Sequence, residues 1–281
     1  MADAASALRS ASRALQDLSD TPRLDAELLM AHALGIAREQ LLLDLPGLDE
    51  PDSYSALLER RMACEPVAHI IGEKEFWGLP FRVSGDVLIP RPDSELLIEQ
   101  AVRIHAQHPP SQILDLGTGS GALLLAALSE YPGARGVGVD ASEAALGVAQ
   151  GNADLLGLSD RAQFQLLDWS QSGWQNLLPG PFDLILANPP YVATEAELSP
   201  EVRDHEPPAA LFAGPEGLDD YRILLPCLDI LLGLDGYILL EIGYDQAAKL
   251  SQLAESHGFL TECHQDLGGN DRLLILTRAV S

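Results

Sequence analysis

The chain has 281 residues, is 47% hydrophobic, and carries a formal net charge of −25 from 42 acidic and 17 basic side chains. That apolar content suits one large domain, or a catalytic domain with a smaller companion, and is too high for a disordered chain. Binding to DNA or RNA through phosphate neutralisation is disfavoured, because Lys74 and Lys249 are the only lysines and the arginines are scattered.

At the amino terminus, Met1–Ser12 is polar and Ala-rich and lacks the charged and apolar regions of a secretory leader. No apolar run approaches the ~20 residues of a membrane span. Helical periodicity runs through Ala4–Leu18, Leu24–Leu34, Arg38–Leu43 and Asp52–Cys64, with Thr21-Pro22 and Pro51 as start signals. These segments predict a small helical bundle over residues 1–73. Residues 74–89 are aromatic and β-branched, and a turn at Gly85-Asp86 predicts a linking β-hairpin.

Over residues 90–281 strands and helices alternate, as units of a mostly parallel sheet require. The predicted strands are Gln112–Leu116, Arg135–Asp140, Ala162–Leu167, Phe182–Ala187 and Gly236–Ile242, followed by Leu260–Gln265 and Arg272–Thr277 as an antiparallel pair. The fold class is therefore α/β: a Rossmann-like, seven-stranded, mostly parallel sheet with a small helical amino-terminal domain. Cys64, Cys227 and Cys263 are isolated and odd in number, which argues against a disulfide framework or zinc site and predicts buried thiols in a reducing cytosol. The seven histidines show no ligand spacing, so no metal is expected. Asp219-Asp220 and Glu195/Glu197 read as solvated faces and caps.

Chemistry gathers at the strand ends. The first strand runs into Gly117-Thr118-Gly119-Ser120-Gly121 and then an Ala/Leu-rich helix, a turn that lets a ligand approach backbone N–H groups. Alone, such a turn is a weak signal that also fits a generic nucleotide-binding or structural feature. The second strand ends in Asp140, where a carboxylate can take a ribose diol or merely cap the next helix, Ala141–Leu155. The third ends in Asp168-Trp169, where an indole can stack on adenine while the carboxylate meets its amino group, although a core role for Trp169 is the bland alternative. The fourth ends in Asn188-Pro189-Pro190-Tyr191. Two prolines there remove backbone donors and stiffen a rim that holds Asn188 beside Tyr191. That rim can accept hydrogen bonds from a planar NH2 group and cover its face with a ring.

The alternating Gly117, Gly119 and Gly121, with Asp140 and Trp169, resemble the class I S-adenosylmethionine-dependent methyltransferases, and Asn-Pro-Pro-Tyr resembles the signature of those that modify nitrogen. The resemblance narrows to the protein-glutamine N5 methyltransferases of bacterial peptide-chain release factors. It is carried by Glu65–Gly72, Glu75–Pro80, Leu88–Glu95, Glu201–Pro207 and Leu267–Arg272, and it covers nearly the whole chain. Family members commonly have Thr where Ser94 stands, and a hydroxyl is kept.

The resemblance implies S-adenosyl-L-methionine as donor and S-adenosyl-L-homocysteine as product, held by Gly117, Thr118, Gly119, Ser120, Gly121, Asp140, Trp169 and Asn188. It implies a substrate glutamine in a Gly-Gly-Gln motif bound by Asn188, Pro189, Pro190 and Tyr191, with Asn188, Pro189 and Tyr191 catalytic. Residues 1–73 would recognise the substrate, and the Phe76–Phe81 hairpin with the Arg91 loop would close over the glutamine. A cytoplasmic monomer without nucleic-acid or membrane partners is expected. Two other readings remain: a methyltransferase for adenine or guanine amino groups in nucleic acid, and a non-catalytic nucleotide-binding protein or nicotinamide oxidoreductase. The charge weighs against the first, and the second leaves Asn188–Tyr191 unexplained.

Overall fold

A computed structural model describes residues 3–279. Five helices come first: α1 (Ala4–Ala14), α2 (Pro22–Leu34), α3 (Arg38–Asp44), α4 (Tyr54–Met62) and α5 (Val67–Ile71). The Asp3 carboxylate caps α1 by accepting from Ser6 N, and Pro22 opens α2 where a backbone N–H would lack a helical partner. Apolar faces bearing Leu8, Leu29, Met30, Leu41 and Tyr54 share one core. The short α5 is absent from the sequence expectation; five residues carry too little periodicity to announce a helix.

A hairpin follows, β1 (Glu73–Phe76) and β2 (Leu79–Arg82). Its turn lies at Trp77-Gly78, with φ of +55° and +69°, rather than at Gly85-Asp86. A two-residue turn with both φ positive matches the twist of the strands it joins. Trp77 is an unexpected occupant, since a left-handed bulky residue costs about 1–3 kcal/mol. Its backbone N–H donates to Glu95 Oε1 at 2.9 Å and its indole N–H to Glu130 Oε1 at 2.7 Å, which hold it there. Gly85-Asp86 does turn, but beyond the hairpin.

The hairpin is not a free linker. Phe76 and Phe81 meet edge to face at 6.1 Å and are fully buried among residues of the sheet domain. Each such burial stabilises by roughly 1.5–3 kcal/mol. This anchoring fixes the hairpin to the sheet unit, with Phe76 also lining the cavity described below.

The remaining elements are α6 (Glu95–Ile104), β3 (Gln112–Leu116), α7 (Ala122–Glu130), β4 (Arg135–Asp140), α8 (Glu143–Leu155), β5 (Ala162–Leu166), β6 (Phe182–Ala187), α9 (Pro200–His205), α10 (Asp219–Leu231), β7 (Leu232–Glu241), α11 (Ala247–Ser256), β8 (Phe259–Gln265) and β9 (Asp271–Arg278). One seven-stranded sheet has the order β5-β4-β3-β6-β7-β9-β8, parallel except for β9, which runs against both neighbours. Alternation sends Leu114, Ile185 and Ile238 to one face and Ile113, Leu184 and Leu239 to the other. Helices α10 and α11 cover the first face, while α6 and α7 cover the second. Both faces are dry, which is why the central strands read as continuous apolar runs.

The chain forms two compact units, Met1–Glu73 with Leu198–Glu206, and Lys74–Glu197 with Pro207–Ser281. The segment carrying α9 thus belongs to the helical unit. Inside that unit the buried Arg61 donates from Nε to Asp25 Oδ2 at 2.8 Å and from Nη2 to Glu201 Oε2 at 2.9 Å. Cys64 and Cys227 are half-buried and Cys263 is exposed, so the expected burial of the thiols is not met. No helix among the described residues is long and apolar enough to cross a membrane.

Candidate active site

Sheet order places the site. From β3 the chain winds outward through β4 and β5, then returns to β6 on the opposite side of β3. Such a reversal opens a crevice at the strands' carboxyl ends. Leu116 pairs with Ala187, so Gly117 and Asn188 leave neighbouring strands side by side. A cavity of about 340 Å³ lies there, lined by Gly117, Thr118, Gly119, Ser120, Asp140, Trp169, Asn188 and Pro190 together with Phe76, Arg91 and Ser94. That size falls in the range of small-molecule sites.

On the glycine-turn side of the cavity, each residue's placement has a local cause. Gly117 has φ +74°, and a Cβ there would lie 3.1 Å from the Trp169 ring. The glycine therefore lets the indole lie against the turn. Trp169 is fixed from behind, its Nε1–H donating to Asp220 Oδ1 at 2.6 Å. Asp220 is thus half-buried and structural, not part of a solvated face, and burial raises its carboxyl above the usual range. Asp140 accepts from Gly119 N and Ser142 N, each at 2.9 Å. Both oxygens keep further lone pairs for a diol. Ser142, not Asp140, caps α8 by accepting from Ala145 N, and the helix starts two residues later than expected.

Below the turn, Thr118 Oγ1 donates to Asp115 Oδ2 at 2.6 Å. Burial pushes the Asp115 carboxyl up to about 7, against the opposing pull of the Thr118 hydroxyl. Gly121, at φ +81°, starts α7 without lining the cavity. Asp168 is exposed, accepts from Ser170 N and the Gln171 side chain, and is not among the residues lining the cavity. The remaining set — open backbone turn, carboxylate and indole face around one cavity — fits S-adenosylmethionine.

Around Asn188 the side chains form a hydrogen-bonded network. Asn188 Nδ2 donates to Ser94 Oγ at 3.3 Å, and Ser94 Oγ donates to Glu241 Oε2 at 2.5 Å. Tyr191 Oη donates to the other oxygen, Glu241 Oε1, at 3.1 Å. Pro190 lines the cavity, Pro189 is buried, and Tyr191 lies outside the lining with its backbone carbonyl accepting from Gln246 Nε2 at 3.0 Å. Burial raises the Glu241 carboxyl, while the Ser94 and Tyr191 hydroxyls and the Arg272 guanidinium pull it down. Burial, followed by the negative field of Glu241, raises the Tyr191 phenol. Sequence reasoning overlooked Glu241 and gave Ser94 no role. The available signal was an acid ending the apolar run Tyr237–Leu240 at a strand's carboxyl end.

Comparison with known proteins gives one picture. A family described as the PrmC N-terminal domain matches residues 6–72, and one described as a methyltransferase domain matches 107–210. The release factor glutamine methyltransferase of Caulobacter vibrioides is 41% identical over 263 residues, covering 91% of this chain and 89% of that protein. The protein of the same name from Cereibacter sphaeroides is 42% identical over 278 residues, covering 96% and 97%. Among solved structures, the ribosomal protein L11 methylase of Lactobacillus delbrueckii subsp. bulgaricus has a TM-score of 0.50 at 23% identity, covering 70% of this chain and 84% of that one. That last likeness speaks to the fold.

Proposed function

The chain belongs to the release factor glutamine methyltransferase family, and we propose that Asn188 and Pro189 hold the carboxamide of a release-factor glutamine while Tyr191 flanks it. The observation that carries this reading is the Asn188 side chain, whose nitrogen is committed to Ser94. Its carbonyl oxygen is then the acceptor end of the amide, beside a glycine turn shaped for the donor.

The chemistry follows from the substrate. A carboxamide nitrogen shares its lone pair with the carbonyl and attacks poorly. S-adenosylmethionine, when bound, supplies an electrophilic methyl group on a sulfonium. Asn188 Oδ1 and the Pro189 carbonyl accept the two N–H bonds, which orients the nitrogen and stabilises positive charge as it develops there. Fixed alignment can remove on the order of 7–11 kcal/mol of barrier otherwise paid in entropy. No catalytic base is needed, because the amide proton becomes acidic only after transfer and can pass to water. Gly117–Ser120, Asp140 and Trp169 hold the donor, and residues 1–73 recognise the protein substrate.

The net charge of −25 favours a protein substrate over nucleic acid. The compartment we infer is the cytoplasm, because the substrate serves translation. Purified protein, radiolabelled donor and a release factor test the reading. Label should enter the wild-type factor and not one whose Gly-Gly-Gln glutamine is replaced by alanine. Equal labelling of both would contradict it.

A further inference from the structure

We propose that Glu241 is a positioning residue for this reaction, setting through Ser94 which end of the Asn188 carboxamide meets the acceptor nitrogen. The proposal rests on the reading of Asn188 given above.

The inference follows from hydrogen-bond polarity. Two hydroxyls converge on the buried Glu241 side chain, Ser94 at 2.5 Å and Tyr191 at 3.1 Å, one on each oxygen. Both hydroxyls donate to it, so each spends its single proton there. Ser94 Oγ then has only lone pairs to offer Asn188, and the group that approaches it must be the amide NH2. The carbonyl oxygen is left at the opposite end of the side chain, the end a substrate NH2 requires. Glu241 itself is held in place, since its backbone carbonyl accepts from Tyr221 Oη at 2.6 Å.

A carboxamide in place of Glu241 has nearly the same shape but can reverse this chain. Its NH2 could donate to Ser94, freeing the serine proton to donate to Asn188 Oδ1. The Asn188 amide would then turn its own NH2 to the substrate, donor against donor. Size would be unchanged and polarity inverted.

The experiment compares Glu241→Gln, Ser94→Ala, Ser94→Thr and the double variant Glu241→Gln/Ser94→Ala. The readouts are turnover, S-adenosylhomocysteine affinity, and NMR exchange of the Asn188 side-chain protons with water. Glu241→Gln and Ser94→Ala should each lower kcat roughly tenfold or more while leaving S-adenosylhomocysteine affinity within about twofold. The double variant should be no worse than about twofold below the poorer single one, because both break the same chain. Ser94→Thr, which keeps the hydroxyl, should restore most of the loss seen with alanine. Asn188 proton exchange should speed up in both single variants.

Turnover within twofold of the wild type in Ser94→Ala, with unchanged Asn188 exchange, would overturn the proposal even if Glu241→Gln fails to fold. A wild-type protein that labels no release factor, yet shows the exchange differences, would instead sink the substrate reading and leave the relay standing.

Discussion

Asn188 is where the family's chemistry and the local structure meet. On the proposed reading, its replacement by alanine removes an acceptor whose value rises as charge develops on the substrate nitrogen. Asn188→Ala should lower kcat by roughly 10²-fold or more, by analogy with the loss of other transition-state partners, while calorimetric affinity for S-adenosylhomocysteine changes little. Unchanged turnover would remove Asn188 from the mechanism. Asp115 offers a second test, one of stability. Its folded pKa is raised to about 7 by burial, against about 3.9 for a free Asp. The stability linked to its protonated form is complete below the unfolded pKa and is lost as pH rises through the folded value. Asp115→Asn should therefore flatten the decline in ligand-free stability between about pH 4 and 7. Denaturant unfolding across that window reads the difference, and parallel curves for the two proteins would contradict the assignment.

At the scale of elements, close approach matters more than propensity. Gly217 has φ +69°, and a Cβ there would sit 2.1 Å from the Tyr191 carbonyl oxygen. Gly217→Ala should push the Tyr191 backbone away from Gln246, lowering stability by roughly 1–3 kcal/mol and reducing turnover. Wild-type thermal unfolding and activity in that variant would count against the packing described. In the helical unit, Arg61 is the buried pivot between Asp25 on α2 and Glu201 on α9. Asp25 is almost fully enclosed, whereas Glu201 is partly exposed, so the Asp25 contact carries most of the effect. Arg61→Ala should cost about 3 kcal/mol, visible as faster hydrogen exchange in α2 and α4. Protection equal to the wild type would refute that role.

The strands β3, β4 and β6 were legible to the residue, because each is an apolar run bounded by Gly, Asp or Asn at the end that forms the site. The start of β7 was not. Gly233 and Asp235-Gly236 have turn chemistry, yet pairing with β6 resumes across a register shift, with Phe182 opposite Leu232 and Leu184 opposite Tyr237. Helix α9 has six residues and no buried face, so no periodicity marks it. The Trp77-Gly78 turn depends on two glutamates distant in sequence.

Across the whole molecule the same division holds. Motifs that act through backbone shape, Gly117–Gly121 and Asn188–Tyr191, are contiguous and can be read along the chain. Networks that act through side chains are not contiguous. Ser94 and Glu241 lie 147 residues apart, and each is ordinary where it stands; the neighbouring placement of β6 and β7 brings Glu241 to Tyr191, and the start of α6 brings Ser94 to Glu241.

A crystal structure of the protein with S-adenosylhomocysteine and a release factor offers the most direct measurement. The glutamine carboxamide should donate to Asn188 Oδ1 and the Pro189 carbonyl, with its nitrogen directed at the homocysteine sulfur. A glutamine bound elsewhere, or an Asn188 carbonyl turned away from it, would contradict the central claim.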